Sequence, residues 1–318
     1  MSAFFTAIIA FLLCLILCPL YIRISPFGQQ IRTDGPGRHS KKAGTPTMGG
    51  VVFLFSAVLV MFFFAPLTPL LLTIILITLA GGVLGFIDDY QKVARHRSLG
   101  LKARHKLGGQ FVFSLLFYFV LTIYGHSTVV HIPFSGMEVD LGYFYPLLIF
   151  VMIMGTANGV NLTDGIDGLA GGTAILALLA FLILASQQGL GGLVYFCAIM
   201  IGSVFGFLIF NLHPARIFMG DVGSLSLGTA LAVVAIMTKS ELLLVVIGGV
   251  FVLETLSVIL QVASFRLTGR RIFLMSPLHH HFELKGWSEW HVVTGFWALG
   301  FCFALLGILE YTVFLRGN

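Results

Sequence analysis

Pro69-Leu70-Leu71-Leu72-Thr73-Ile74-Ile75-Leu76-Ile77-Thr78-Leu79-Ala80-Gly81-Gly82-Val83-Leu84-Gly85-Phe86-Ile87 runs apolar and then stops on Asp88-Asp89. About 20 such residues in a helix cross a hydrocarbon core of about 30 Å. An ionisable side chain at the bilayer centre costs roughly 2.5–3.5 kcal/mol. The stretch therefore reads as a membrane span with two acids at its end. The rest of the chain repeats the pattern: of 318 residues, 58% are hydrophobic and 10% charged, with a mean hydropathy of +1.01. That composition excludes a soluble fold and indicates a polytopic α-helical membrane protein. The alternating pattern of a transmembrane barrel is absent.

Hydropathy places ten spans, near 3–23, 48–65, 69–87, 109–125, 144–160, 169–186, 192–210, 223–238, 242–265 and 292–314. No basic residue precedes the first and no small-residue cleavage site follows it, so it reads as a span rather than a signal peptide. Ten crossings put both termini on one side. Of the 18 Lys and Arg residues, all but Lys239 and Arg316 fall on the other side. The basic side is then cytoplasmic and both termini external. The charge of +5 follows from this topology, and no nucleic-acid partner is expected. Cys14, Cys18, Cys197 and Cys302 all lie in apolar stretches, with no CxxC motif and no disulfide framework. No internal repeat is evident, so residues 1–318 read as one integral-membrane domain. Alternation around Ser135-Gly136 predicts a small external β-hairpin over about 127–143.

All three acidic clusters fall on the basic side: Asp88-Asp89, Asn161-Leu162-Thr163-Asp164-Gly165-Ile166-Asp167-Gly168, and Phe218-Met219-Gly220-Asp221. Adjacent acids at a helix end are commonly a solvated cap, but three clusters sharing one face point to a hard divalent cation. Mg²⁺ takes one or two carboxylates, keeps waters and bridges to phosphates. The Asn161–Gly168 segment has a calcium-loop flavour but lacks EF-hand spacing. The plainer reading is that Asp164 or Asp167 caps the sixth helix. The basic loop over 92–106 reads as topological, with Lys106 the member expected to turn inward toward a diphosphate. His279, His280 and His281 diverge on a helix, which argues against one tetrahedral zinc site. Glu254, deep in the ninth span, reads as a buried, hydrogen-bonded structural acid.

Together these parts suit a Mg²⁺-assisted transfer between a soluble phosphate ester and a lipid. Ile87–Tyr90, Asn161–Gly168, Asn211-Leu212-His213-Pro214-Ala215, Phe218–Leu225, Pro277–Trp287 and Thr45-Pro46-Thr47-Met48-Gly49-Gly50 resemble the signature segments of the bacterial phospho-N-acetylmuramoyl-pentapeptide-transferases. The resemblance runs essentially end to end, departing at His291 and Gly295, where many members carry Arg. It implies an inner-membrane, multi-pass enzyme with Mg²⁺ as cofactor. UDP-N-acetylmuramoyl-pentapeptide and undecaprenyl phosphate would give lipid I and UMP, and a second copy of the chain is a candidate partner.

The resemblance also implies roles. Asp221 would hold the metal, Asp88 would deprotonate or orient the lipid phosphate, and Asp89 would support it. Phe218 would stack on uracil beside Gly165, Ile166 and Asp167. Lys106, Asn161, Asp164 and Asn211 would contact nucleotide, phosphate or metal. Lys42, Thr47 and His279, His280 and His281 would lie nearer the sugar and peptide. Direct attack is the simpler route, with an aspartyl-phosphate intermediate the alternative. Two rival readings share features of the pattern. A polyprenyl-phosphate N-acetylglucosamine-1-phosphate transferase shares the acidic motifs, and an ion-coupled transporter would place its acids at the midplane.

Overall fold

The computed structural model describes residues 2–28, 44–95 and 100–315. Helices α1 (Ala3–Ile24), α2 (Gly50–Phe64), α3 (Pro69–Ala94) and α4 (Ala103–Ile123) lead into strands β1 (Val129–Ile132) and β2 (Met137–Asp140). Helices α5 (Tyr145–Thr163), α6 (Leu169–Gln187), α7 (Gly191–Asn211) and α8 (Gly220–Met237) follow. The chain continues through α9 (Leu243–Ile247), α10 (Gly249–Thr268), α11 (Leu278–Leu284) and α12 (Glu289–Glu310). Among the described residues, nine helical stretches are long and apolar enough to cross a membrane. The tenth expected span is α2, with 15 residues. At about 1.5 Å per residue it covers only about 22 Å. The backbone just before it turns instead, Met48 taking a left-handed φ of +63° and Gly49 N–H donating to the Phe218 carbonyl at 2.8 Å.

Helix ends follow local chemistry. The Thr68 hydroxyl accepts from Leu71 N–H at 3.2 Å ahead of Pro69, and Ser288 accepts from His291 N–H at 3.3 Å. Two expected boundaries move. The third span runs to Ala94 rather than 87, because Asp88 and Asp89 stay helical and pair with Lys92 one turn later. The ninth is interrupted at Gly248, which separates α9 from α10.

Helix α8 is the centre of the bundle, and every residue from Asp221 to Ile236 is buried. Its composition explains this position, since small residues let neighbouring backbones approach closely. A Cβ on Gly85 of α3 would collide with the Asp221 carbonyl, one on Gly50 of α2 with the Val222–Gly223 backbone, and one on Gly228 with Ala157 of α5.

Strands β1 and β2 pair antiparallel, Val129 opposite Asp140 and Ile132 opposite Met137, forming the expected hairpin. It lies at the bundle end opposite Asp88. There Lys239 Nζ donates to the Ser127 carbonyl at 2.9 Å, and Phe134 N–H to Glu310 Oε1 at 3.2 Å. Helix α1 ends at the acid end, where Tyr21 donates to the Thr47 carbonyl at 2.9 Å. The start of α1 and the end of α12 therefore share the hairpin end.

Candidate active site

The close crossing at Gly85 brings the end of α3 onto the first turn of α8. Asp88, Asp89 and Asp221 each offer an oxygen within 4.8 Å of the others. They are 1%, 5% and 9% exposed, so their mutual repulsion is poorly screened. Two ammonium groups answer it. Lys92 Nζ lies 2.6 Å from Asp88 Oδ2, 3.2 Å from Asp89 Oδ1 and 2.9 Å from Asp221 Oδ1. Lys106 Nζ lies 2.6 Å from Asp221 Oδ2 and 3.4 Å from Asp88 Oδ1. Asn161 Nδ2 donates to Asp221 Oδ1 at 3.0 Å and to Ser224 Oγ at 2.9 Å.

The two adjacent acids are held differently. Asp89 Oδ2 accepts from Val222 N–H at 3.1 Å, which ties it to the start of α8. Asp88 Oδ1 accepts from Leu101 N–H at 2.7 Å, which ties it to the segment entering α4. With three carboxylates against two ammonium groups, the cluster keeps one formal negative charge. Its oxygen-only carboxylate set fits a hard divalent cation.

A second layer lies around the turn between α5 and α6. Asp164 is the residue after α5, and burial followed by the carboxylates of Asp221, Asp89 and Asp167 pushes its carboxyl up to about 8. Gly168 adopts a left-handed conformation (φ +80°) and takes the capping position of α6. The expected Asp cap is thereby corrected. Asp167 accepts instead from Ala215 N–H at 3.0 Å and meets His213 Nδ1 at 3.1 Å. His213 Nδ1 is also 3.2 Å from Glu289 Oε2, completing a second group of possible ligands. Asn211 engages both ends of its amide on backbone, accepting from Gly168 N–H at 3.1 Å and donating to the Ile217 carbonyl at 2.9 Å. It locks the Gly165–Gly168 turn to the Phe218 loop.

Phe218 is half-buried, and its main chain is clamped by Pro46 and Gly49. Ile166 is buried against Leu169, Val292 and Val293. Thr47 is buried beside this clamp, its N–H donating to the Phe27 carbonyl at 3.0 Å. The three histidines of α11 diverge. His279 Nδ1 faces Glu254 Oε2 at 3.3 Å, His280 Nδ1 faces Glu283 Oε2 at 2.8 Å, and His281 Nδ1 accepts from Leu274 N–H at 3.1 Å. Lys42 lies outside the described residues.

Three participants escape the sequence reading. Lys92 falls among the cations that read as topological, although its i+3 and i+4 spacing from Asp89 and Asp88 is the available signal. Glu289 carries only the mark of a first-turn acid. His213 appears within a quoted motif, with nothing to assign it two carboxylates.

Comparison with known proteins separates this arrangement from its rivals. Residues 70–239 match the family model described as Glycosyl transferase family 4, and residues 42–54 match the phospho-N-acetylmuramoyl-pentapeptide-transferase signature 1. The chain is 53% identical over 308 residues to the phospho-N-acetylmuramoyl-pentapeptide-transferase of Geobacillus sp. (strain WCH70), covering 95% of each chain. It is 50% identical over 311 residues to that of Bacillus subtilis (strain 168), covering 96% of each. Identity at this level over nearly the whole chain shows the family: the chain belongs to the phospho-N-acetylmuramoyl-pentapeptide-transferases, membrane-embedded transferases of peptidoglycan synthesis.

Proposed function

We propose that the chain, acting as a single domain in the bacterial inner membrane, transfers phospho-N-acetylmuramoyl-pentapeptide from its UDP-linked precursor to undecaprenyl phosphate. The products are lipid I and UMP. A nonbridging oxygen of the lipid phosphate forms the new bond to the sugar-bearing phosphorus. The bond from that phosphorus to the oxygen shared with UMP breaks, and UMP leaves. The observation that carries this reading is the buried Asp88–Asp89–Asp221 group with Lys92 and Lys106 against it, at the bundle end that the basic residues mark as cytoplasmic.

Phosphoryl transfer needs positioning and charge neutralisation more than covalent chemistry. Asp221, with Asp88 and Asp89 beside it, would hold Mg²⁺, which when bound neutralises charge on the diphosphate. Lys106 and Lys92 are placed to exchange carboxylate for phosphate oxygens as point charges. Asp88 orients the lipid phosphate, which is already anionic and needs little base catalysis, so direct attack suffices. Asp89 keeps α8 in register with α3. On the nucleotide side, Phe218 stacks on uracil, Gly165, Ile166 and Asp167 line its pocket, and Asn161 and Asp164 face the phosphates. Asn211 supports that pocket through backbone. Thr47 and His279, His280 and His281 lie toward sugar and peptide.

The test is a side-by-side turnover assay in detergent with UDP-N-acetylmuramoyl-pentapeptide and UDP-N-acetylglucosamine. Lipid-linked product is expected from the first donor alone, lost in EDTA and restored by Mg²⁺. Product from the second donor alone, or an EDTA-resistant rate, overturns the reading.

A further inference from the structure

Glu254 and His279 are both 0% exposed, and 3.3 Å separates Glu254 Oε2 from His279 Nδ1. Among the described residues none of their four polar side-chain atoms makes a hydrogen bond, so Glu254 is buried as expected but not hydrogen-bonded, and this close approach is the polar contact the two groups share. An acid and an imidazole removed from water, with only each other, cannot be indifferent to their separation. One wall of this site is the small apolar core of Ile166, Val250, Val292 and Phe296, with Leu278 packed against it. The opposite edge of the imidazole meets the nucleotide loop, and a Cβ on Gly165 would run into His279 Nε2.

A second contact repeats the arrangement. Seven residues along α10 from Glu254, hence on the same face, Gln261 accepts from Ile272 N–H at 3.0 Å and Phe273 N–H at 2.9 Å. It also donates to the Phe273 carbonyl at 2.9 Å. One face of α10 thus grips the segment before α11 through Gln261 and α11 itself through Glu254.

We infer that Glu254 is a positioning residue of the transferase: it fixes His279 through Nδ1 so that Nε2 braces the Gly165 turn, setting how the nucleotide loop is held. Residue 165 is glycine because the imidazole occupies the space of its side chain. The contact acts on the nucleotide side alone, since Leu101, Lys92 and Lys106, which hold Asp88, belong to other elements. This inference rests on the reading of residues 164–168 as a nucleotide loop.

The test uses the full chain in detergent, with UMP affinity and both substrate KM values as readouts. Glu254→Leu is expected to raise the nucleotide KM and weaken UMP binding roughly 10- to 100-fold, as loss of a supporting partner does. The KM for undecaprenyl phosphate should stay within about twofold. Glu254→Gln, whose carbonyl can take the same place beside Nδ1, should stay within about threefold of wild type. Gly165→Ala should weaken UMP binding in the wild-type background and lose that effect in a His279→Ala background, where the imidazole is gone.

Equal damage from Glu254→Gln and Glu254→Leu would mark a charge or proton-transfer role and overturn the inference. So would a Gly165→Ala penalty that persists without His279. If Glu254→Leu does not fold, the Gly165→Ala and His279→Ala pair decides alone. A wild-type chain that fails to bind UMP sinks the nucleotide reading itself. Wild-type UMP binding with unchanged affinity in Glu254→Leu sinks only this one.

Discussion

Asp88 and Asp89 are neighbours in sequence with different attachments, and that difference separates their expected losses. The Asp89 carboxylate accepts from Val222 N–H, so Asp89→Asn keeps an acceptor for the α8 backbone while Asp89→Ala leaves that donor unpaired. A charge-assisted hydrogen bond is worth about 1.5–3 kcal/mol, so lipid I formation in Asp89→Ala should fall at least about tenfold below Asp89→Asn. Equal rates would refute the positional role. Asp221→Ala removes an acid that both lysines reach at under 3 Å, and turnover should vanish; a wild-type rate would sink its assignment to the metal. Asp164 sets a pH dependence whose sign can be worked out. Its folded pKa of about 8 lies above the ordinary carboxyl value of 3.8, so folding takes up a proton between those values. Its ionisation therefore destabilises the ion-free protein as pH rises through that window. In EDTA, Asp164→Asn should melt above wild type at pH about 8.5, with the gap narrowing steadily as pH falls toward about 4. A gap of the opposite sign, or one confined to the lower pH, would contradict the raised pKa.

Between elements, the decisive contact is the α3–α8 crossing, and Gly85 is its narrowest point. An added Cβ would meet the Asp221 main chain, which cannot yield as a flexible side-chain tip could. Gly85→Ala should therefore cost about 1–3 kcal/mol as an overpacked site, lowering the melting temperature and turnover together because Asp221 itself is displaced. On α4, Gly108 has open space at its Cβ position, and Gly108→Ala should leave both unchanged or slightly improved. Indistinguishable behaviour of the two variants would argue against the crossing as the determinant. This crossing also marks how much the sequence discloses. Apolar run length locates nine membrane-length helices among the described residues, because lipid imposes that length on each helix separately, while α2 is shorter than the expected span. The end of α3 is not legible because Asp88 and Asp89 look like loop residues until Lys92 and Lys106 neutralise them. The partners Glu254–His279 and His213–Glu289 are legible only in space, because pairing across helices leaves no periodicity in the chain.

Across the whole molecule, the two ends of the bundle differ in chemistry. The acid end gathers Lys92, Lys106 and the three catalytic candidates. At the hairpin end, Glu241 is 2% exposed and is held by Tyr145 and Lys239, each at 2.7 Å. Lys239, Glu241 and Glu310 are taken up in contacts there while Glu138 and Asp140 stay exposed on β2, and the uneven distribution of Lys and Arg predicts which end faces the cytoplasm. Ser135 at the hairpin tip and Lys285 after α11 are exposed at opposite ends, so they report orientation directly. Cys14, Cys18 and Cys197 are buried, which leaves Cys302 as the native thiol to remove. In a Cys302→Ser chain in intact cells whose outer barrier passes small reagents, Ser135→Cys should react with a membrane-impermeant maleimide. Lys285→Cys should react only after the membrane is opened. Labelling of Lys285→Cys in sealed cells would invert the topology and put the acidic cluster on the face a cytoplasmic nucleotide sugar cannot reach, defeating the transferase orientation along with it.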